Sequence, residues 1–239
     1  MLQARDRLIV ALDVSSASEA RQIVQTIGEA AITYKIGKQL FTAEGPQVVR
    51  DLVSSGRKVF LDLKFHDIPN TVAGAVNSAT ELGVSMMTVH ASGGSKMLKA
   101  AVEAAEQSKA KPMILAVTVL TSLSDPDLTE LGVGANVETQ VLRLGALARA
   151  AGCGGLVASA QEIKKLRQEL GEGFAIVTPG IRSAGSAAGD QARVASPQAA
   201  IAAGATYLVV GRPILDAPNP ANAAEEIVRD IEQAVAVTR

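Results

Sequence analysis

Eight short apolar runs, mostly four or five residues long, recur along the chain with amphipathic segments between them. They are Leu8–Leu12, Thr33–Ile36, Val59–Leu63, Met86–Val89, Met113–Val119, Gly155–Val157, Ala175–Val177 and Tyr207–Val210. Runs this short and this rich in Val, Ile and Leu suit parallel strands buried on both faces. Helical patterns lie between them, over Ser18–Ile27, Pro46–Ser55, Asn70–Leu82, Ala135–Ala151, Gln161–Leu170, Pro197–Ala203 and Ala221–Val235. A further helix begins near Lys96. Ser18 is read as an N-cap, Pro46 as a first helical residue, and Gly28, Gly56 and Gly83 as stops. Eight strands with helices between them predict a closed (β/α)₈ TIM barrel, a single domain spanning residues 1–239. An open doubly wound sheet fits less well, because Asp13-Val14-Ser15-Ser16 stands after the first strand where a Gly-rich phosphate loop would be needed.

Composition narrows the partners. Residues are 48% hydrophobic and 20% charged, which provides a sizeable core, and the net charge of −1 offers no basic excess for nucleic acid or an anionic membrane. Aromatic residues make up 3% and Trp is absent, so base-stacking platforms are not expected. Cys153 is the single cysteine and cannot form an internal disulfide. The early segment does not resemble a signal peptide, and no apolar run has the length of a membrane span. A cytoplasmic protein is the expectation.

Barrel enzymes place their chemistry where strands end. Asp13 follows the first run, Lys35 sits near the end of the second, and Asp62 and Lys64 close the third. His90, Thr121 and Arg212 follow the fourth, fifth and eighth. Residues two apart on a strand share a face, so Asp62 and Lys64 should project together with Leu63 opposed. Charges so near a core need partners. The spacing alone fits either a catalytic pair or a structural ion pair at the barrel rim. The small, polar, Gly-rich segment Arg182–Gln191 reads as a loop suited to a lid.

The stretch Asp62-Leu63-Lys64-Phe65-His66-Asp67-Ile68-Pro69-Asn70-Thr71-Val72 resembles the signature of the orotidine 5′-phosphate decarboxylase family. Other pieces match in order over nearly the whole chain: IVALD ending at Asp13, YKIG around Lys35, LTS at Leu120–Ser122, TPGIR ending at Arg182 and VGRPI around Arg212. The resemblance implies a role for each position. Lys64 would deliver a proton to C6 of the pyrimidine as CO₂ leaves, and Asp62 would stand against the substrate carboxylate. Lys35 would complete an alternating Lys–Asp–Lys–Asp array with Asp62, Lys64 and Asp67. Asp67 would reach across a homodimer interface into the partner's site. Asp13 and Lys35 would bind ribose hydroxyls, and Thr121 would contact the pyrimidine. Gln191, Gly211 and Arg212 would hold the phosphate with Arg182 nearby. Ile68 and Thr71, inside the signature, are further substrate-binding candidates.

The implied chemistry is physically coherent. Losing CO₂ from C6 leaves an sp² carbanion that the ring π-system cannot delocalise directly. The sequence carries no recognisable metal, pyridoxal phosphate or thiamine motif, so no cofactor is expected. A fixed ammonium at the site of developing charge can stabilise it and then supply the proton. Flanking carboxylates would keep that ammonium charged and aimed.

Other features have blander readings. His66 and His90, the only histidines, lack a recognisable ligand pattern and are read as hydrogen-bonded structural residues, with no metal expected. Cys153 reads as a small buried hydrophobe. Lys164, Lys165 and Arg167 read as a solvated helix face, and Ser92-Gly93-Gly94-Ser95 as a turn into the following helix. Two alternatives remain. Related sugar-phosphate lyases share an Asp-x-Lys-x-x-Asp core but use Mg²⁺ to stabilise an enediolate. A non-catalytic phosphate-binding barrel would be expected to lack a member of the charged array, yet Lys35, Asp62, Lys64 and Asp67 are all present.

Overall fold

The computed structural model describes residues 2–182 and 194–237. Eight parallel strands close into one barrel in chain order: β1 (Leu8–Ala11), β2 (Thr33–Gly37), β3 (Lys58–Phe65), β4 (Met86–His90), β5 (Met113–Val117), β6 (Gly155–Val157), β7 (Ala175–Thr178) and β8 (Tyr207–Val210). Closure is made by β1 pairing with β8, with Leu8 opposite Leu208 and Val10 opposite Val210. Every expected run is a strand of the barrel. β3 is longer than its apolar run and carries Asp62 and Lys64 within it, whereas β5 stops at Val117.

Alternation along each strand divides the core in two. Ile9, Ala11, Phe60, Met86, Leu115, Val177 and Val209 fill the barrel interior. Their strand neighbours Leu8, Val10, Leu61, Met87 and Leu208 face outward and pack under the helices. Both faces are therefore dry, which is why the strands read as nearly unbroken apolar runs. Thr33, Lys35 and Gly37 take the inward positions of β2, since Tyr34 and Ile36 belong to the outer layer.

The helices follow the expected pattern with shifted ends. Ser16, not Ser18, caps Ala17–Ile27 by accepting from the Glu19 N–H; the Ser18 hydroxyl lies 3.2 Å from that of Ser16. The helix Gln47–Ser54 has Pro46 at its cap, and a preceding helix, Lys38–Glu44, was not anticipated. That helix starts directly at the end of β2 and ends at Gly45, whose φ of 67° is one that glycine adopts without steric cost. Pro69 opens Pro69–Thr80, where its missing N–H is not needed. The last helix, Pro220–Val237, packs against the helices Pro197–Ala202 and Ala17–Ile27. Among the described residues, no helix is long and apolar enough to cross a membrane.

Candidate active site

A cavity of about 600 Å³ opens at the C-terminal end of the strands. That is within the usual range for a small-molecule site, roughly 300–1,000 Å³. Its floor is apolar, made by Ala11, Phe60, Val157 and Val209, and its walls carry Asp13, Lys35, Asp62, Lys64, Thr121, Arg182, Gly211 and Arg212. Strand ends on opposite sides of the barrel thus converge on one space, and eight of the expected site residues line it.

The charged groups form a chain. Lys35 Nζ lies 2.8 Å from Asp13 Oδ1 and 3.9 Å from Asp62 Oδ2. Lys64 Nζ donates to both oxygens of Asp62, each at 2.8 Å. The alternating order within this chain is therefore Asp13–Lys35–Asp62–Lys64. Lys35 is only 8% exposed, and its stem rises beside Ala11 and Phe60, its partners in the adjacent strands. Two ammoniums and two carboxylates cancel, which lets so much charge sit at the rim of a dry core. Burial of Asp62 opposes its ionisation. The Lys64 and Lys35 charges, with hydrogen bonds from Lys64 and Thr88, outweigh it and hold the carboxyl below its ordinary range.

Asp62 and Lys64 do project together, but not by simple strand alternation. Pairing of β3 with β4 runs Phe60 to Met86 and Leu61 to Met87, then resumes only at Phe65 and Val89. Asp62, Leu63 and Lys64 stand opposite the single residue Thr88. Within this bulge Lys64 has φ of 53°, a left-handed backbone conformation that costs a side-chain-bearing residue about 1–2 kcal/mol. Strain of this kind is concentrated at functional sites. Two variants isolate it, because both lack the ammonium: Lys64→Gly is expected to be more stable than Lys64→Ala by about 1 kcal/mol, read by urea unfolding. Equal midpoints and slopes would show that the backbone at Lys64 is not strained.

Two contributors carried no signal of their own in the sequence. Gly37, opposite Asp62 in the β2–β3 register, lies under the Lys35–Asp13 pair, and a Cβ there would come within 3.0 Å of Lys35 Nζ. Thr88 hides in the apolar run Met86–His90 as a β-branched strand residue. Gln39 also lines the cavity.

Other expected residues lie elsewhere. Asp67, Ile68 and Thr71 do not line the cavity of their own chain. Ile68 is 67% exposed on the rim, and the Asp67 carboxylate accepts from the Ile68 N–H at 2.6 Å. Within one chain the row of four charged groups ends in Asp13. Gln191, and the expected lid Arg182–Gln191 beyond Arg182 itself, fall outside the described residues. Arg182 Nη1 donates to the Ile181 carbonyl at 2.9 Å.

His66 and His90 stack at a tilt, with ring centroids 5.4 Å apart. Burial, then the charges of His66, Lys38 and Lys64, hold His90 below the ordinary imidazole range. Among the described residues, no group of three or more His, Cys, Asp or Glu is placed to hold a metal ion. Cys153 is buried, which pushes its thiol up to about 12. Arg167, expected on a solvated face, is instead largely buried. It donates to the carbonyls of Gly171, Phe174 and Gly204 and to the Thr206 hydroxyl, far from the cavity.

A closed parallel barrel with a paired charged array at its C-terminal mouth defines the class: a (β/α)₈-barrel protein built like an enzyme. Residues 6–227 match the Orotidine 5'-phosphate decarboxylase / HUMPS family, and the chain belongs to that family. A protein of Idiomarina loihiensis named Orotidine 5'-phosphate decarboxylase is 51% identical over 95% of this chain and 99% of its own length. One of the same name from Heliobacterium modesticaldum is 48% identical over 98% and 99%. The crystal structure of Orotidine 5'-phosphate decarboxylase from Lactobacillus acidophilus superposes with a TM-score of 0.85 at 37% identity, covering 95% of this chain and 99% of that one.

Proposed function

We propose that this chain converts orotidine 5′-monophosphate to UMP and CO₂, the last step of de novo pyrimidine nucleotide synthesis, without a cofactor. The observation that carries the reading is the Lys64 ammonium held by both oxygens of Asp62 inside the cavity, in a chain so similar to proteins named for this activity.

The C6–carboxylate bond breaks and its electron pair stays on C6. The Lys64 ammonium faces that charge and transfers a proton to C6, forming UMP; Lys64 then regains a proton from solvent. Asp62 stands against the departing carboxylate and keeps Lys64 aimed. Repulsion between the two carboxylates adds ground-state stress to this electrostatic preorganisation. Asp13 and Lys35 hold ribose hydroxyls, and Thr121 meets the pyrimidine. Gly211, Arg212, Arg182 and Gln191 take the phosphate, with the segment Arg182–Gln191 closing over it. Phosphate binding far from C6 then serves catalysis by assembling the closed site. Asp67, with Ile68 and Thr71 close to it in the chain, completes the site of a second subunit in a homodimer. Its exposed position outside the chain's own cavity suits that role.

The proposal is tested by running the reaction in D₂O and following products by NMR. UMP carrying deuterium at C6 is expected, since C6 of the substrate bears the carboxylate and no hydrogen; no UMP would reject the proposal. Replacing Arg212 by Ala is expected to lower kcat/KM by about 10²-fold, the worth of one or two hydrogen bonds to a charged group. Steady-state kinetics showing kcat/KM unchanged would take Arg212 out of the phosphate site.

A further inference from the structure

We propose that Thr88 is a positioning residue for this reaction: its hydroxyl pins the β3 bulge so that the Lys64 ammonium stands against the Asp62 carboxylate. The proposal rests on the decarboxylase reading above.

Three residues of β3 face Thr88 alone, so the strand ladder cannot satisfy the bulge by backbone pairing. The Lys64 N–H donates instead to Thr88 Oγ1 at 2.9 Å. The same oxygen donates its proton to Asp62 Oδ1 at 2.9 Å. One fully buried atom thus holds the backbone of the lysine and the side chain of the carboxylate at once. A hydroxyl suits this place because a single small group must both accept and donate. Thr88 stands opposite Leu115, its register partner on β5, whose side chain belongs to the barrel interior. Without this anchor, the left-handed backbone at Lys64 has one fewer bond holding it against relaxation. The ammonium at the end of that side chain would shift with it, and Asp62 would lose a donor that favours its ionised form.

The experiment compares wild type, Thr88→Val and Thr88→Ser for kcat, KM and pH profile with orotidine 5′-monophosphate. Valine keeps the shape and removes both hydrogen bonds; serine keeps both. For Thr88→Val, kcat is expected to fall about 10–100-fold, the scale set by an ångström of misplacement at a reacting group. KM should change little, since the groups assigned to ribose and phosphate are untouched. The acid limb of the kcat profile should move to higher pH, because Asp62 loses a hydrogen bond that keeps it ionised. Thr88→Ser should restore both kcat and the limb. A Thr88→Val enzyme with wild-type kcat and an unmoved acid limb would overturn the proposal, and so would a Thr88→Ser enzyme as impaired as valine. If Thr88→Val does not fold, Thr88→Cys takes its place, with a thiol that is a weaker donor and acceptor; lowered kcat supports the proposal and unchanged kcat overturns it. If wild type leaves the nucleotide intact, the decarboxylase reading falls. Crystal structures of wild type and variant then decide the positioning role by itself. Displacement of Lys64 Nζ from Asp62 in the variant supports it, and an unchanged pair overturns it.

Discussion

Replacing Lys64 by Ala is expected to lower kcat by about 10⁴-fold or more while leaving a folded barrel. The lysine has two tasks on one atom. Fixed charge at a developing anion is worth about 10²–10³ in rate. A placed proton donor is worth about 10²–10⁴. These are not additive, but removing both together sets the scale. The barrel should survive because Asp62 keeps Lys35 at 3.9 Å and the Thr88 hydrogen bond. Circular dichroism should match wild type, and nucleotide binding should weaken far less than turnover. A Lys64→Ala protein within about tenfold of wild-type kcat would remove Lys64 from both tasks.

Mixing two inactive variants should produce activity. Asp67 lies outside its own chain's cavity, on an exposed rim beside Ile68. If it completes the partner's site, Lys64→Ala and Asp67→Ala subunits complement one another. Each mixed dimer then has one site with neither residue missing. Random exchange at equal amounts places half the subunits in mixed dimers, so about one quarter of wild-type activity should return for a two-fold dimer. Each variant alone should stay near its background. Confirmed subunit exchange with no recovery would show that the two residues do not serve a shared site.

The barrel was legible because its strands are dry on both faces. A run such as Leu8–Leu12 or Tyr207–Val210 announces itself by composition alone. The convergence of Asp13, Lys35, Asp62, Lys64, Thr121 and Arg212 followed from one rule, that barrel sites sit where strands end, whereas Arg182 and Gly211 came from the family resemblance, and His90, which the rule also marked, does not line the cavity. What escaped was local geometry. Asp62 and Lys64 were expected to share a face by alternation, and they meet through a bulge with a left-handed lysine. Lysine, unlike glycine, gives no hint of positive φ, so sequence could not mark that turn. Thr88 was hidden for a related reason: in an apolar run, a buried hydroxyl looks like one more β-branched packing residue. Gly37 looked like punctuation at the end of a strand, yet its missing side chain leaves room for the Lys35–Asp13 pair. Asp13, expected at the ribose, is also the near partner of Lys35. Arg167 was misread because helix periodicity does not reveal which carbonyls a long side chain can reach.

Decarboxylation of orotidine 5′-monophosphate is proposed to use the protein's own lysine and no metal. Ultraviolet absorbance of that nucleotide, followed with purified protein in the presence and absence of EDTA, is the deciding measurement. A fall in absorbance that EDTA leaves unchanged, and that Lys64→Ala abolishes, is the predicted result. Unchanged absorbance with folded wild-type protein would contradict the substrate. A fall that EDTA stops would contradict the cofactor-free mechanism and turn attention to metal-assisted chemistry at the same mouth.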